Sequence, residues 1–399
     1  MTEMRALVHV PMRARAADEE HRVSTPFELL FDLVFVVAIA SLVTQFAHAV
    51  VEGQLADHTG PFLMVFFAIW WAWLNFTWFS SGYDSGDVVY RLLGVVQMGG
   101  VLVLAAGVPA AFENIDYRVI TIGYLIMRLG QVGLWIRAAV EHPATRHVST
   151  RYAIGITVVQ ILWLLRLLLP LELQVLTFAV LVLAEFLVPV WANRSGDDPW
   201  NPRHIAERYG LFVIIILGEG VLAASNGVQA ALADSAGTGT LIVVGVAGLL
   251  ILVGLWWVYF LEVPEEGLAR RSALTYYWGY GHVLLFAALA AVGAGLEVGV
   301  EVAGHHTEIA PSLAGWVVAV PVALSLVLIW ALNRPLSGGN VVPAYATFPA
   351  AGLMLLAPVT TGSIGVAGVL VVVALLTAAV VAVSLATGRR SDTVDTSTK

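Results

Sequence analysis

Two carboxylates stand at the start of an apolar helix, in the segment STPFELLFDLVFVVAIA at residues 24–40. Thr25, Pro26 and Glu28 form a capping-box pattern, which predicts that Glu28 caps this helix at the cytosolic interface. Asp32 lies one turn deeper, about 6 Å along the axis, where the helix dipole has faded. Because an ionised group in mid-membrane costs about 2.5–3.5 kcal/mol, we predict that Asp32 has a partner or water and takes part in function.

A second charged helix start occurs in HIAERYGLFVIIILGEGVLAAS, residues 204–225. His204 and Arg208 share a helix face, and Glu207 sits beside them near the cytosolic end. Glu219 lies about 16 Å further in, almost on the same face and between two glycines. Glycines beside a buried acid let another backbone approach, or let the helix unwind so that carbonyls turn inward. We therefore take Glu219 as the strongest functional candidate. A protonated, hydrogen-bonded helix contact is the alternative.

Other polar groups also fall within apolar stretches. Arg128 lies in the middle of a span, and the simplest hypothesis pairs it with Asp32 or Glu219. Arg166, near an outer helix end, could extend to the interface. A further set is predicted to tie helices together by hydrogen bonds: Asn75, Gln97, Gln131 and Glu185. His282 could equally belong to an interface or to the core. His305 and His306, in an acidic loop with Glu297, Glu301 and Glu308, are interpreted as solvated.

The elements that position these residues are apolar runs, most of them long enough to cross about 30 Å of hydrocarbon. We predict twelve: about 27–51, 61–81, 88–112, 117–140, 151–169, 171–192, 204–228, 239–261, 276–297, 312–332, 341–358 and 362–387. The fifth and sixth are separated only by Pro170 and could be a misjudged pair. The eleventh contains three prolines and could be a broken helix.

The distribution of basic residues indicates the topology. With the N-terminus in the cytosol, seventeen of the twenty basic residues fall in inner segments, and only Arg118 falls outside. This asymmetry favours twelve spans with both termini cytosolic.

The predicted fold is an all-α polytopic membrane protein built of two parallel six-helix repeats. The repeat hypothesis rests on the resemblance of AIWWAWLNF to GLWWVYFLE in the second and eighth spans. The predicted parts are a cytosolic segment 1–23, a first half 24–200, a second half 201–387 and a disordered cytosolic tail 388–399. The alternative is that tryptophan pairs recur by chance in an interfacial aromatic belt.

Composition excludes several classes of function. The chain of 399 residues is 59% hydrophobic and only 12% charged, whereas soluble domains carry about 25% charged residues. There is no cysteine, which excludes thiolate metal sites and thiol catalysis. No basic surface suits nucleic acid, and no soluble-enzyme motif occurs in a supporting context. We expect no metal and no cofactor. The expected partners are the lipid bilayer and an unknown small solute or cation, and a homo-oligomer is an open alternative.

The two charged helix starts together resemble the bacterial low temperature requirement A (LtrA) family of integral membrane proteins. The resemblance covers about residues 20–390. It rests on a set of matched positions: Glu28, Phe31, Asp32, His204, Glu207, Arg208, Gly210, Gly218 and Glu219. It implies a polytopic protein of the bacterial cytoplasmic membrane, without an established biochemical activity. Many relatives carry serine where Gly220 stands here, so no role for a hydroxyl is expected at that position. Residues 32–39 are also loosely similar to the first helix of lysosomal-type potassium channels.

Three functional classes remain open. A transporter or channel would place Asp32 and Glu219 at one polar cavity, with Arg128 setting their charge. The further candidates for such an ion pathway are Glu28, His204, Glu207 and Arg208. A membrane-embedded enzyme would bring Glu28, His204 and Glu207 together at the cytosolic face. A structural or cold-adaptation protein would pair every buried charge in a dry core. We favour transport.

Overall fold

The computed structural model describes residues 9–15, 19, 22–195, 199–233, 238–262, 265–304, 307, 309–337 and 341–396. Throughout this part of the chain the fold is helical and has no β-strand, which confirms the predicted all-α class. His305, His306 and Glu308 lie outside the described residues. Glu297 and Glu301 belong to a helix and not to the loop that the sequence predicted for them.

The helices are numbered here in chain order. They are α1 Pro26–Val51, α2 Leu55–Tyr83, α3 Val88–Ala106, α4 Val108–Glu113, α5 Arg118–Glu141, α6 Arg146–Arg166, α7 Leu171–Ala192, α8 Pro202–Ala233, α9 Thr238–Phe260, α10 Glu265–Arg270, α11 Thr275–Ala303, α12 Pro311–Asn333, α13 Ala344–Leu356 and α14 Thr361–Thr396.

Eleven stretches of the described chain are long and apolar enough to cross a membrane, close to the twelve predicted. The doubtful pair around Pro170 forms two separate helices, α6 and α7. The difference arises near the C-terminus, where α13 has 13 residues. At 1.5 Å per residue it measures about 20 Å, which is too short for a bilayer core. The run at 341–358 therefore forms a short helix, which continues through Pro349 and is followed by a 3-10 turn at Ala357–Thr360, and is no separate span.

The chain forms two compact units. The first contains Met1–Leu42 and Gly60–Arg208, and the second contains Val43–Thr59 and Tyr209–Lys399. Helices α1 and α8 therefore each contribute residues to both units. The predicted division into halves at residue 200, the disordered tail and the parallel repeat stay predictions.

The core of the first unit is rich in aromatic side chains from α2. Trp70, Trp71 and Trp73 are each no more than 1% exposed. In the second unit, Trp256 and Trp257 are 42% and 43% exposed. The two tryptophan pairs that suggested a repeat therefore lie in different surroundings, because the α2 pair packs within protein while the α9 pair is left uncovered by its unit.

Close helix packing in the first unit depends on glycine. A Cβ atom added at Gly123 of α5 would lie 2.4 Å from the backbone nitrogen of Leu104 in α3. Only a residue without a side chain permits this approach, and small residues are the usual means by which membrane helices pack closely. The contact holds α3 and α5 close together.

The N-terminal segment is held against the first unit by charged groups. Arg137 of α5 donates to both oxygens of Asp87, at 2.8 and 2.6 Å, and to Val10 O at 2.7 Å. Val10 N donates to Asp87 at 2.8 Å, and Asp87 also caps α3 by accepting from Tyr90 N. Burial alone would raise the pKa of Asp87, but the Arg137 guanidinium and two backbone N–H groups hold it well below its ordinary 3.8.

Candidate functional site

The predicted capping box at the start of α1 is present. Thr25 N donates to Glu28 Oε2 at 2.8 Å, and Glu28 N donates to Thr25 Oγ1 at 3.3 Å. Glu28 thereby satisfies a backbone donor that the first turn of a helix leaves open. This uses one of its two carboxylate oxygens.

The second oxygen of Glu28 faces three nitrogen groups. Glu28 Oε1 lies 3.2 Å from Arg22 Nη2, 3.0 Å from His204 Nε2 and 3.2 Å from Arg208 Nη1. The side chains of Glu28, His204 and Arg208 are completely buried. Glu28 is therefore both a cap and an ion-pair partner. The contribution of Arg22 carried no recognisable signal in the sequence.

Asp32 forms the next level of the same cluster. Arg208 grips its carboxylate with two hydrogen bonds, from Nε at 2.9 Å and from Nη2 at 2.5 Å. The indole Nε1 of Trp73 donates to the same carboxylate at 2.8 Å. Asp32 is 1% exposed. Both carboxylate oxygens are thus engaged by protein donors in a bidentate, charge-assisted arrangement.

The helical spacing explains why these pairs form together. Glu28 and Asp32 are four residues apart on α1, and His204 and Arg208 are four residues apart on α8. Positions i and i+4 lie on one face, about 6 Å apart along the axis. Two such helices side by side therefore match one pair to the other. We call Arg22, Glu28, Asp32, His204 and Arg208 the Glu28–Asp32 cluster.

Charge within the Glu28–Asp32 cluster balances, since two carboxylates meet two guanidinium groups. Asp84, after the end of α2, lies 3.6 Å from Arg22. Its burial, followed by the nearby negative charge of Glu28, raises the pKa of Asp84. A balanced cluster with no solvent exposure at its centre can tie helices together, but offers no substrate an approach to its atoms in this conformation.

Glu207 does not join the cluster. Its two carboxylate oxygens each lie 3.2 Å from Ser24 N, at the backbone that leads into α1. The convergence of Glu28, His204 and Glu207 that an enzyme would require is thus reduced to Glu28 and His204. Among the described residues, no group of three or more His, Asp or Glu side chains has the arrangement of a metal site.

Arg128 pairs with Glu185, so the predicted pairing with Asp32 or Glu219 is wrong. Arg128 Nη2 lies 3.2 Å from Glu185 Oε2, which also accepts from Trp71 Nε1 at 2.8 Å. Glu185 Oε1 accepts from Tyr124 OH at 2.7 Å and from Trp163 Nε1 at 3.1 Å. Glu185 of α7 therefore connects three other helices through one carboxylate. Sequence reasoning identified this acid as a packing residue but not its partners, because the two indoles that bind it resemble ordinary core residues.

The neutral polar residues behave mainly as packing groups. Asn75 Nδ2 donates to Trp71 O in its own helix at 2.7 Å. Gln131 Nε2 of α5 donates to Asn75 O of α2 at 3.4 Å, which joins two helices. Gln97 is 1% exposed and its Nε2 has no hydrogen-bond partner in the described part of the chain.

The second unit contains Glu219, which differs from the acids above. It lies in the membrane-crossing stretch Pro202–Asn226 and is 8% exposed. No described residue donates a hydrogen bond to it or pairs with it as an ion. Glu297 of α11 is close enough to interact with it electrostatically. Beside Glu219, Gly220 approaches Gly293 of α11, where an added Cβ would lie 3.5 Å from the Gly220 nitrogen.

His282 belongs to the core of the second unit. It is completely buried. Its Nδ1 lies 2.6 Å from Trp278 O, and its Nε2 lies 3.2 Å from the hydroxyl of Tyr259. Both ring nitrogens therefore have partners within the unit.

Comparison with known proteins places this sequence among membrane proteins. The family model described as bacterial low temperature requirement A protein (LtrA) matches residues 23–387. An uncharacterized protein of Rhizobium meliloti (strain 1021) is 27% identical over 273 residues, which cover 64% of this chain. The chain spans 64% of the length of that curated relative. No solved structure matches. Since the family match takes in both charged helix starts and every predicted span, the chain belongs to the bacterial low temperature requirement A (LtrA) family of membrane proteins.

Proposed function

We propose that this protein moves protons or small cations across the membrane, and that Glu219 is the central group that carries them. The observation behind the proposal is that no described residue donates a hydrogen bond to Glu219 or forms an ion pair with it. An ionised carboxylate with no partner is unstable in a medium of low dielectric constant. A bound proton or cation removes that penalty. A buried acid that gains stability by binding a cation is therefore suited to a position on a cation pathway.

Further acids extend from Glu219 along α11. Glu297 interacts electrostatically with Glu219, and also with His48 and Glu301. Glu297 and Glu301 are four residues apart, so they share one face of α11. Glu297 is half-buried and His48 is exposed. These groups, all in the second unit, support a route from the buried acid toward the surface of that unit.

The Glu28–Asp32 cluster has a different role in this proposal. Its carboxylates are neutralised by Arg22 and Arg208, so they have no need of a mobile cation. We infer that the cluster holds α1 and the start of α8 in place. The alternative of an enzyme is less well supported, because the completely buried His204 is not accessible to a substrate in this arrangement.

Flux measurements in liposomes test the proposal. Purified protein is reconstituted with a pH-sensitive dye inside, and an outward potassium or sodium gradient is applied. We expect the wild type to change the internal pH or cation content faster than protein-free liposomes. We expect Glu219→Gln, which removes the charge and keeps the shape, to reduce this rate about tenfold or more, as for the loss of a group used in the transfer step.

A matched control distinguishes transport from folding. Glu172→Gln removes one carboxylate from an exposed position at the start of α7, so it should leave both flux and stability unchanged. Glu219→Gln should unfold at the wild-type temperature or above it, because it removes an unpaired buried charge. Wild-type liposomes with no flux above background, or a Glu219→Gln variant with full flux, would refute the proposal.

A further inference from the structure

Arg166, the last residue of α6, is a buried cation without an anionic partner in the described chain. It is 3% exposed. Its Nε donates a hydrogen bond to Gln174 O at 3.0 Å, and its Nη2 has no hydrogen-bond partner in the described chain. It forms no ion pair with any described residue. A buried guanidinium in an apolar setting is strongly disfavoured without a compensating negative charge.

Aromatic rings surround this guanidinium and compensate it only in part. Its central carbon lies 5.6 Å from the ring centre of Tyr117, 5.7 Å from that of Trp163 and 5.5 Å from that of Phe178. Such contacts attract a cation to the faces of the rings. The rings provide no oxygen or nitrogen acceptor for the hydrogen bonds of the terminal guanidinium N–H groups.

The same four residues line a small cavity within the first unit, between α2, α5, α6 and α7. The free space is about 30 Å³, room for one or two water-sized species. The hydroxyl of Tyr117, which is 7% exposed, also lacks a hydrogen-bond partner. Two buried donors without acceptors therefore border one small cavity.

We propose that this cavity binds one small monovalent anion of the size of chloride, held by Arg166 and the Tyr117 hydroxyl. The anion neutralises the guanidinium and accepts the hydrogen bonds that the protein leaves open. The site lies in the first unit, so it is independent of Glu219 and of the flux proposed for the second unit.

Thermal unfolding of the purified protein in detergent tests this proposal without any transport assay. Sodium chloride replaces sodium gluconate at constant ionic strength. Because a ligand that binds only the folded state stabilises it by mass action, we expect the unfolding temperature of the wild type to rise with chloride. In Arg166→Gln the rise should disappear. In Tyr117→Phe the chloride concentration for half the effect should increase about tenfold, as for the loss of one hydrogen bond to a charged group.

Arg118→Gln is the matched control. Arg118 is next to Tyr117 in sequence, but its side chain is 75% exposed and is paired with Asp116. This variant should respond to chloride as the wild type does. Should Arg166→Gln fail to fold, Tyr117→Phe still tests the site, because it removes a single oxygen. The proposal is overturned by a wild type that does not respond to chloride, by an equal response in Arg166→Gln or Tyr117→Phe, or by an equal response to sulfate.

Discussion

Replacement of Asp32 by asparagine gives the sharpest test of the Glu28–Asp32 cluster. The variant keeps the size of the side chain but removes its charge. The new amide nitrogen is itself a donor, and it would replace one of the two oxygens that now accept hydrogen bonds. In one orientation of the amide it would face Arg208 Nε, and in the other it would face both Arg208 Nη2 and Trp73 Nε1. Arg208 would keep one carboxylate, Glu28, at 3.2 Å. Removal of one partner from a buried ion pair lowers the free energy of unfolding by about 3–5 kcal/mol. Because Glu28 remains, we expect a loss near 3 kcal/mol in the free energy of unfolding.

The measurement is reversible unfolding in mixed micelles by titration with a denaturing detergent, followed by circular dichroism. Asp57→Asn is the control, since Asp57 is an exposed acid in the first turn of α2. It contributes only its interaction with the helix dipole, so its loss should cost less than about 1 kcal/mol. The difference between the two variants isolates the effect of burial and pairing.

The result that would refute this reasoning is an Asp32→Asn variant as stable as the wild type. If such a variant had also lost cation flux, Asp32 would belong to the transport route, and Arg208 would serve to set its charge. A destabilised variant that retains flux in proportion to its folded fraction would support a purely positioning role.

Three further predictions concern neighbouring contacts. Glu185→Gln should lower the free energy of unfolding by about 3–5 kcal/mol, because it leaves Arg128 without an anion; detergent titration measures this, and no change would show that Arg128 finds another partner. Thr25→Ala should cost about 0.5–2 kcal/mol through loss of the cap, measured in the same way, whereas a cost near zero would mean that Glu28 and the preceding backbone suffice. Because the pKa of Asp87 is lower in the folded state than its ordinary 3.8, the contact of Asp87 with Arg137 stabilises the fold fully above pH 3.8. This contribution is lost as the pH falls through the pKa that Asp87 has in the folded state. Asp87→Asn should therefore be less stable than the wild type at pH 6 and should show a weaker loss on acidification; equal pH profiles would contradict this.

The sequence predicted helix number, helix bounds and the presence of buried charges with good accuracy. The signal for the helices is strong because an apolar stretch of about 20 residues has few alternatives. The prediction departed from the structure in two places. The run at 341–358 yields the short α13, and Glu297 and Glu301 lie in α11 instead of in a loop.

The charged pairs were only partly predictable. The equal spacing of Glu28 with Asp32 and of His204 with Arg208 is visible in the sequence and would have predicted a match between their helices. The pairing of Arg128 could not be read in the same way. Its partner Glu185 is 57 residues away, and nothing in the local sequence distinguishes that acid from Asp32 or Glu219 as a candidate.

Hydropathy and length are local properties, so the order of the amino acids is enough to establish a helical membrane protein with acids inside its spans. The folded arrangement of the helices settles which of those acids are neutralised and which remain unpaired. An ion pair depends on which helix faces meet, and residues far apart along the chain supply its two halves. Asp32 and Glu219 are both acids within an apolar helix, yet Arg208 binds the first with two hydrogen bonds, while the second has no hydrogen-bond or ion-pair partner among the described residues.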